Sequence, residues 1–256
     1  MKLCFCSIAF RNDPIETIVP RLAKLGYDAV EIWANHLQGY DTAQLAILRS
    51  QADEAGIGIE VVSPYLWLTQ TEELLIESMD IARRTVEQAR QLGCRKIRTF
   101  TDSGPTGIGS AVATPAQRAT AVQALKEITA MAPDLRFVVE THPLTLADLP
   151  ESTLKLLDEV GAPNLRVLYQ PSPGSLFEAY DLLKPHIEHM HLQNVTETGK
   201  MVWLEEGVMD LCGFLKQVRR DGYSDSISVE YCWGGVKWER AETAREFVAK
   251  CWNQQS

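Results

Sequence analysis

The feature that most restricts this chain is a strict alternation of two kinds of segment. Short apolar runs lie at 3–9, 29–33, 58–63, 96–101, 136–141, 165–170, 187–193 and 226–231. Each is followed by a stretch of helical period, near 14–25, 42–55, 71–92, 115–131, 151–160, 175–184, 208–221 and 239–252. Parallel strands need a crossover between them, usually a helix, so this order predicts a parallel sheet. Phe137, Val138 and Val139 are apolar at consecutive positions, as expected of a strand covered on both faces. Gly26, Gly93 and Gly222 close helical stretches, and Pro14 and Pro115 stand where a first helical turn accepts proline.

Eight such units either close on themselves or stay open as a doubly wound sheet. The chain has 256 residues, close to the roughly 250 of an eight-stranded closed barrel. A single α/β domain over 1–256 is therefore expected, a (β/α)8 TIM barrel. No change of composition marks a boundary. Two long connections, 103–114 and 195–207, follow the fourth and seventh strands and are expected at the rim that carries the active site.

Composition removes several classes of function. At 45% hydrophobic and 23% charged residues, the chain can bury a core without staples. Its net charge of -9, with no run of Lys or Arg, argues against nucleic acid or an anionic membrane as partner. No segment reaches the roughly 20 apolar residues of a membrane span. The N-terminus lacks a basic stretch followed by a long apolar one. The six cysteines, Cys4, Cys6, Cys94, Cys212, Cys232 and Cys251, form no CxxC pair. They are expected as free thiols in a reducing cytoplasm.

Catalytic groups of such a barrel come from the C-terminal ends of its strands. The fifth strand ends on Glu140, and a lone charge after an apolar run is costly unless paired or bound to a metal. In the eighth, the two-residue period puts Ile227, Val229 and Tyr231 toward the helices and Ser228, Glu230 and Cys232 toward the barrel axis. The seventh carries His189 and His191 on one face, with His191 nearer the top and His189 read as a core histidine. The sixth ends on Gln170. Four consecutive strands thus bring Glu140, Gln170, His191 and Glu230 to one rim. Oxygen and imidazole donors without thiolates suit a hard divalent ion: Mn²⁺ first, with Mg²⁺, Co²⁺ and Zn²⁺ as the other candidates. His142, two residues past Glu140, and Arg98, near the end of the fourth strand, are expected at the substrate. Trp67, Trp203, Trp233 and Lys237 are placed as pocket walls, and Trp238 and Trp252 as packing or oligomer contacts.

These segments resemble the sugar phosphate isomerase/epimerase family, the xylose isomerase-like barrels of the family 2 AP endonuclease superfamily. The resemblance rests on Gly26-Tyr27-Asp28-Ala29-Val30-Glu31-Ile32-Trp33, Val139-Glu140-Thr141-His142-Pro143, His189-Met190-His191-Leu192-Gln193-Asn194, Glu206-Gly207, and Gly222-Tyr223 leading to Ser228-Val229-Glu230-Tyr231. It implies metal ligands from strands five to eight, in the order Glu, Asp, His, Glu. Glu140, His191 and Glu230 match. Gln170 stands where the family has Asp, so the site carries two carboxylate charges rather than three. Pro173 stands where the family often has a His.

The resemblance implies an isomerase or epimerase acting on a small carbohydrate or polyol. A proton beside a carbonyl is removed and a metal-stabilised enediolate forms, with Glu140 and Glu230 as the acid/base pair. Loss of a β-hydroxyl from the same enolate would instead make the protein a lyase, a dehydratase of inosose or 3-dehydroshikimate type. A non-catalytic sugar-binding barrel and a metal-dependent nuclease are the remaining alternatives. Five histidines and an acidic surface disfavour the nuclease. A homo-oligomer is compatible with the sequence.

Overall fold

The structure, a computed structural model, describes residues 1–104 and 106–253; Pro105 of the expected rim loop and residues 254–256 lie outside the described residues. The barrel strands are β1 (Lys2–Cys6), β2 (Ala29–Trp33), β3 (Gly58–Ser63), β4 (Lys96–Thr99), β5 (Arg136–Glu140), β6 (Leu165–Tyr169), β7 (Ile187–Leu192) and β10 (Ser226–Val229). They pair in parallel and close in the order β1-β10-β7-β6-β5-β4-β3-β2. The helices are α1 (Ile15–Lys24), α2 (Thr42–Ala55), α3 (Glu72–Leu92), α4 (Pro115–Met131), α5 (Pro150–Val160), α6 (Leu176–Leu183), α7 (Leu211–Arg220) and α8 (Trp238–Asn253). The sheet closes rather than remaining open, as the eight repeats predict.

Alternation along each strand sorts the side chains into two compartments. Phe5, Val30, Ile32, Ile97, Phe137, Val139, Val167, Met190, Ile227 and Val229 face outward into one apolar shell shared with the helices. The interior of the barrel mixes apolar side chains, among them Val61, Val138 and Leu168, with an unusual number of polar ones. Glu31, Arg98, Glu140, His189, His191, Ser226, Ser228 and Glu230 are all buried there. Barrel interiors of this type are usually filled with Val, Ile and Leu, so this interior needs an explanation beyond packing.

Helix ends follow ordinary capping chemistry. Asp41 and Thr114 each form a capping box, with Gln44 and Gln117, at the start of α2 and α4. α3 ends on Gly93 in the left-handed conformation at φ 69°.

Three features depart from the sequence reading. The first strand is shorter than 3–9, because Ser7–Phe10 winds into a 3-10 turn. The connection after β7 is not plain loop: β8 (Asn194–Val195) and β9 (Met201–Val202) pair as a small antiparallel hairpin. Cys212 of α7 and Cys251 of α8 form a disulfide, so the expectation of free thiols throughout is corrected; Cys4, Cys6, Cys94 and Cys232 are free. Sequence spacing gave no sign that these two helix faces touch.

Candidate metal centre

Four strands and the residues that continue them build the site. Glu140 is the last residue of β5, while Gln170 and Glu230 follow the last residues of β6 and β10. The backbone holds both of the latter in line. Glu230 N donates to Leu192 O at 3.0 Å, and Gln170 N donates to Thr141 Oγ1 at 2.8 Å. Register places Ser228 of β10 beside His191 of β7, so Glu230 stands above the imidazole.

The expected residues converge. Ligand atoms of Glu140, His191 and Glu230 lie within 4.8 Å of one another. From His191 Nδ1 it is 3.6 Å to Glu140 Oε1, 3.3 Å to Glu230 Oε2 and 3.2 Å to Gln170 Oε1. The Gln170 amide is informative. With its oxygen turned inward it meets only acceptors, which is repulsive unless a cation sits among them. Turned end for end, its N–H groups donate to Glu140 at 2.7 Å and Glu230 at 3.2 Å, and its oxygen accepts from Gln193 Nε2 at 2.9 Å. Two carboxylates, one imidazole nitrogen and one carboxamide oxygen are a donor set that fits a divalent cation.

Electrostatics within the site follow from burial and charge. Burial alone would raise the Glu140 carboxyl, but Arg98 and His191 beside it hold it below the usual carboxylate range. Burial would lower His191, yet the carboxylates of Glu230, Glu31 and Glu140 outweigh it and raise the imidazole well above its ordinary range. Burial, reinforced by Glu230 and Glu140, pushes the Cys232 thiol up.

Arg98 is buried at 2% exposure and donates from Nη1 to Glu140 Oε2 at 3.1 Å and from Nη2 to Pro64 O at 2.9 Å. Its guanidinium lies over the rings of Tyr65, at 4.8 Å, and Phe100, at 4.5 Å. Its Nε is buried and has no hydrogen-bond partner.

A cavity of about 480 Å³ opens over these groups, with Tyr65, Arg98, Phe100, His142, Gln193 and Cys232 in its wall beside Glu140, Gln170 and Glu230. His142 packs edge-on against Phe100, and its Nδ1 is 2.7 Å from Pro143 O. A carbonyl only accepts, so Nδ1 is the donor in this contact. The β8–β9 hairpin adds Val195, Gly199 and Met201 to the wall. Its base is pinned by Asn194, whose amide donates to Leu204 O at 2.8 Å and whose oxygen accepts from Met209 N at 3.1 Å. Gly207 makes this possible, because a Cβ there would meet the Asn194 carboxamide at 2.1 Å.

Among the described residues, the wall does not include Trp67, Trp203, Trp233 or Lys237. Trp67 lines a separate cavity beside α3 and donates from Nε1 to Ser103 O at 3.0 Å. Trp233 packs with Trp203 and Tyr231, both at 4.9 Å between ring centres, and Lys237 is exposed. The described part of 103–114 also stays out of the wall. It folds onto the segment after β5, where Ser110 N donates to Asp148 Oδ2 at 3.0 Å. A period of two or 3.6 residues fixes direction on strands and helices, but no such period fixes it in loops.

Sequence reasoning passed over Glu31, the buried carboxylate of β2. Burial would raise it, but the charge of His191 and hydrogen bonds from His189 and His191 hold it well below the usual range. The signal was present in Ala-Val-Glu-Ile-Trp, a lone charge in an apolar strand.

The family model described as xylose isomerase-like TIM barrel matches residues 19–251, and the chain belongs to this family. A 3-dehydroshikimate dehydratase of Bacillus anthracis is 28% identical, with 89% of this chain and 90% of that protein covered. The crystal structure of the probable 3-DHS dehydratase AsbF, involved in petrobactin synthesis in Bacillus anthracis, superposes with a TM-score of 0.83 at 24% identity, over 97% of this chain and 99% of that one. D-psicose 3-epimerase, solved in the presence of D-fructose, superposes with a TM-score of 0.81 at 18% identity, over 99% and 100%. Among the described residues, no helix is long and apolar enough to cross a membrane.

Proposed function

We propose that this protein is a divalent-metal-dependent enzyme that removes a proton beside a carbonyl, and that its reaction is the dehydration of a carboxylate-bearing, carbohydrate-derived ketone of 3-dehydroshikimate type. Glu140, Gln170, His191 and Glu230 would hold the ion. When bound, it supplies Lewis-acid stabilisation of the negative charge that develops on a substrate oxygen.

The observation that carries the choice of dehydration is Arg98 in the cavity wall. A neutral ketose has no need of a guanidinium. A substrate carboxylate does, and an Arg held against the Tyr65 and Phe100 rings by Glu140 and Pro64 O is fixed in place beside the cavity to meet one. The Bacillus dehydratase, similar over most of both chains, supports the same choice.

Arg98 also holds the Glu140 carboxyl below the usual carboxylate range, which makes Glu140 a weak base. His142 is better placed to act as general base, since Nδ1 is committed to Pro143 O, which leaves Nε2 to take the proton, and its ring lines the cavity. Its imidazole takes the carbon-bound proton. The β-hydroxyl then departs as water, with that proton returned from the imidazolium. The low-dielectric wall of Tyr65 and Phe100 limits competing solvent.

The paired carboxylates favour a second reading. Glu140 and Glu230 flank the cavity floor, and removal of a proton by one with return by the other would epimerise a ketose. A single assay series separates the two. Protein supplied with Mn²⁺ is expected to convert 3-dehydroshikimate to an aromatic product, and His142→Ala to lose about 100-fold or more in kcat. Uptake of solvent deuterium into D-psicose or D-fructose with no turnover of 3-dehydroshikimate would transfer the assignment to the epimerase. Neither reaction from protein that holds its metal would sink the enzymatic reading.

A further inference from the structure

Glu31 is fully buried, and the strand that carries it is not a neighbour of the strand it serves. β2 pairs with β1 and β3, whereas β7 pairs with β6 and β10. Its carboxylate therefore crosses the barrel interior to reach His191, with Nε2 of that ring 3.1 Å from Oε1 and 3.0 Å from Oε2. His189 Nε2 approaches Oε2 at 3.1 Å, and the Ser63 hydroxyl donates to Oε1. His189 is itself fixed on its far side by the Ser226 hydroxyl, 2.7 Å from Nδ1.

A satisfied core carboxylate is the plain alternative. Such a layer is expensive, because two imidazoles and a carboxylate must be desolvated where branched apolar side chains would fill the same space more cheaply. The geometry assigns it a task. His191 has two nitrogens, and Nδ1 faces Glu140, Gln170 and Glu230. A neutral imidazole can ligate through Nδ1 only if its proton sits on Nε2. A carboxylate against Nε2 holds it there, orients the ring, and makes Nδ1 a stronger donor.

We propose that Glu31 is a positioning residue, which fixes His191 as the Nε2–H tautomer and aims Nδ1 at the metal. The assignment rests on the metal centre proposed above. It concerns a residue that touches neither the ion nor the substrate.

The test compares wild type, Glu31→Ala and Glu31→Gln for Mn²⁺ affinity by calorimetry, and reads the His191 nitrogens by 15N NMR in the Zn²⁺-loaded wild type. Glu31→Ala is expected to weaken Mn²⁺ binding by about 10- to 100-fold. Glu31→Gln, whose amide oxygen still accepts from Nε2–H, is expected to stay close to wild type. The NMR spectrum should show the proton on Nε2 and none on Nδ1. That readout needs no variant to fold. Wild-type binding with unchanged affinity in Glu31→Ala would overturn the role of Glu31 and leave the metal centre standing, as would a proton found on Nδ1. A wild type that takes up no Mn²⁺ would overturn the metal centre and this assignment with it.

Discussion

Gln170 concentrates the chemistry of the rim in one side chain. The Asp that the family resemblance implies at this position could, when ionised, only accept, so a third carboxylate would face Glu140 and Glu230 in the absence of an ion. The carboxamide offers either end to its neighbours, and Gln193 stands beside it to partner the other end. A neutral ligand therefore lowers attraction for the cation and also lowers repulsion without it. Gln170→Asp is expected to tighten Mn²⁺ binding by about an order of magnitude, since affinity follows ligand charge. The same change should lower the melting temperature of the metal-free protein by about 2–4 °C, the shift that about 1 kcal/mol produces in a chain of this size. Calorimetry and thermal unfolding in chelator check the two halves. An affinity unchanged by the new charge would place Gln170 away from the ion.

At the level of elements, the two ends of the barrel do different work. The C-terminal rim holds the candidate site, while the N-terminal end is tied by an ion network across β1, β3, β4 and the entry to β10. Lys96 Nζ lies 2.8 Å from Glu60 Oε1 and also bonds Asp225, and Lys2 Nζ lies 3.0 Å from Glu60 Oε2. Burial would raise Glu60, but Lys96, and more weakly Lys2, hold its carboxyl at about 2, against an ordinary 4.5. A depressed carboxylate favours the folded state above its unfolded value, and that contribution is lost as pH falls from about 4.5 through about 2. Glu60→Gln is expected to cost about 2 kcal/mol at neutral pH. The gap to wild type should close at the acid end of a pH series of denaturant titrations. A constant gap would mean that Glu60 acts through packing alone. The same elements show what a sequence reveals and what it withholds. Strands and helices were legible because burial on a barrel imposes a period; Glu140 was legible because charge at the end of an apolar run is costly, and His191 and Glu230 because the two-residue period turns them to the inner face. Glu31 obeys the same cost rule, but it sits inside its strand, so a rule confined to strand ends passes over it. Trp67, Trp233 and Lys237 were placed by loop position, which says nothing of where a side chain points. The Cys212–Cys251 bond depends on the approach of two helices, which no local pattern encodes.

For the whole molecule, the candidate site is a seam that joins half the barrel. Its proposed ligands come from four adjacent strands, and Arg98 and Glu31 extend the network to β4 and β2. An ion held there would bind only the closed barrel, because the unfolded chain cannot gather donors from residues as far apart as Glu140 and Glu230. Mass action then makes the ion a stabiliser of the fold as a whole. At a free concentration of about 100 times Kd it contributes about 2.7 kcal/mol, or roughly 5–10 °C in melting temperature for a chain of this length. Mn²⁺ is therefore expected to raise the thermal midpoint in a concentration-dependent way, and a chelator to reverse it. Two variants localise the effect. His191→Ala should abolish the increment, since it removes the one imidazole donor of the proposed set. Lys237→Ala, exposed and outside the cavity wall, should keep it in full. An increment that survives His191→Ala would mean that the ion binds elsewhere on the acidic surface and that the rim is held together by its own hydrogen bonds alone.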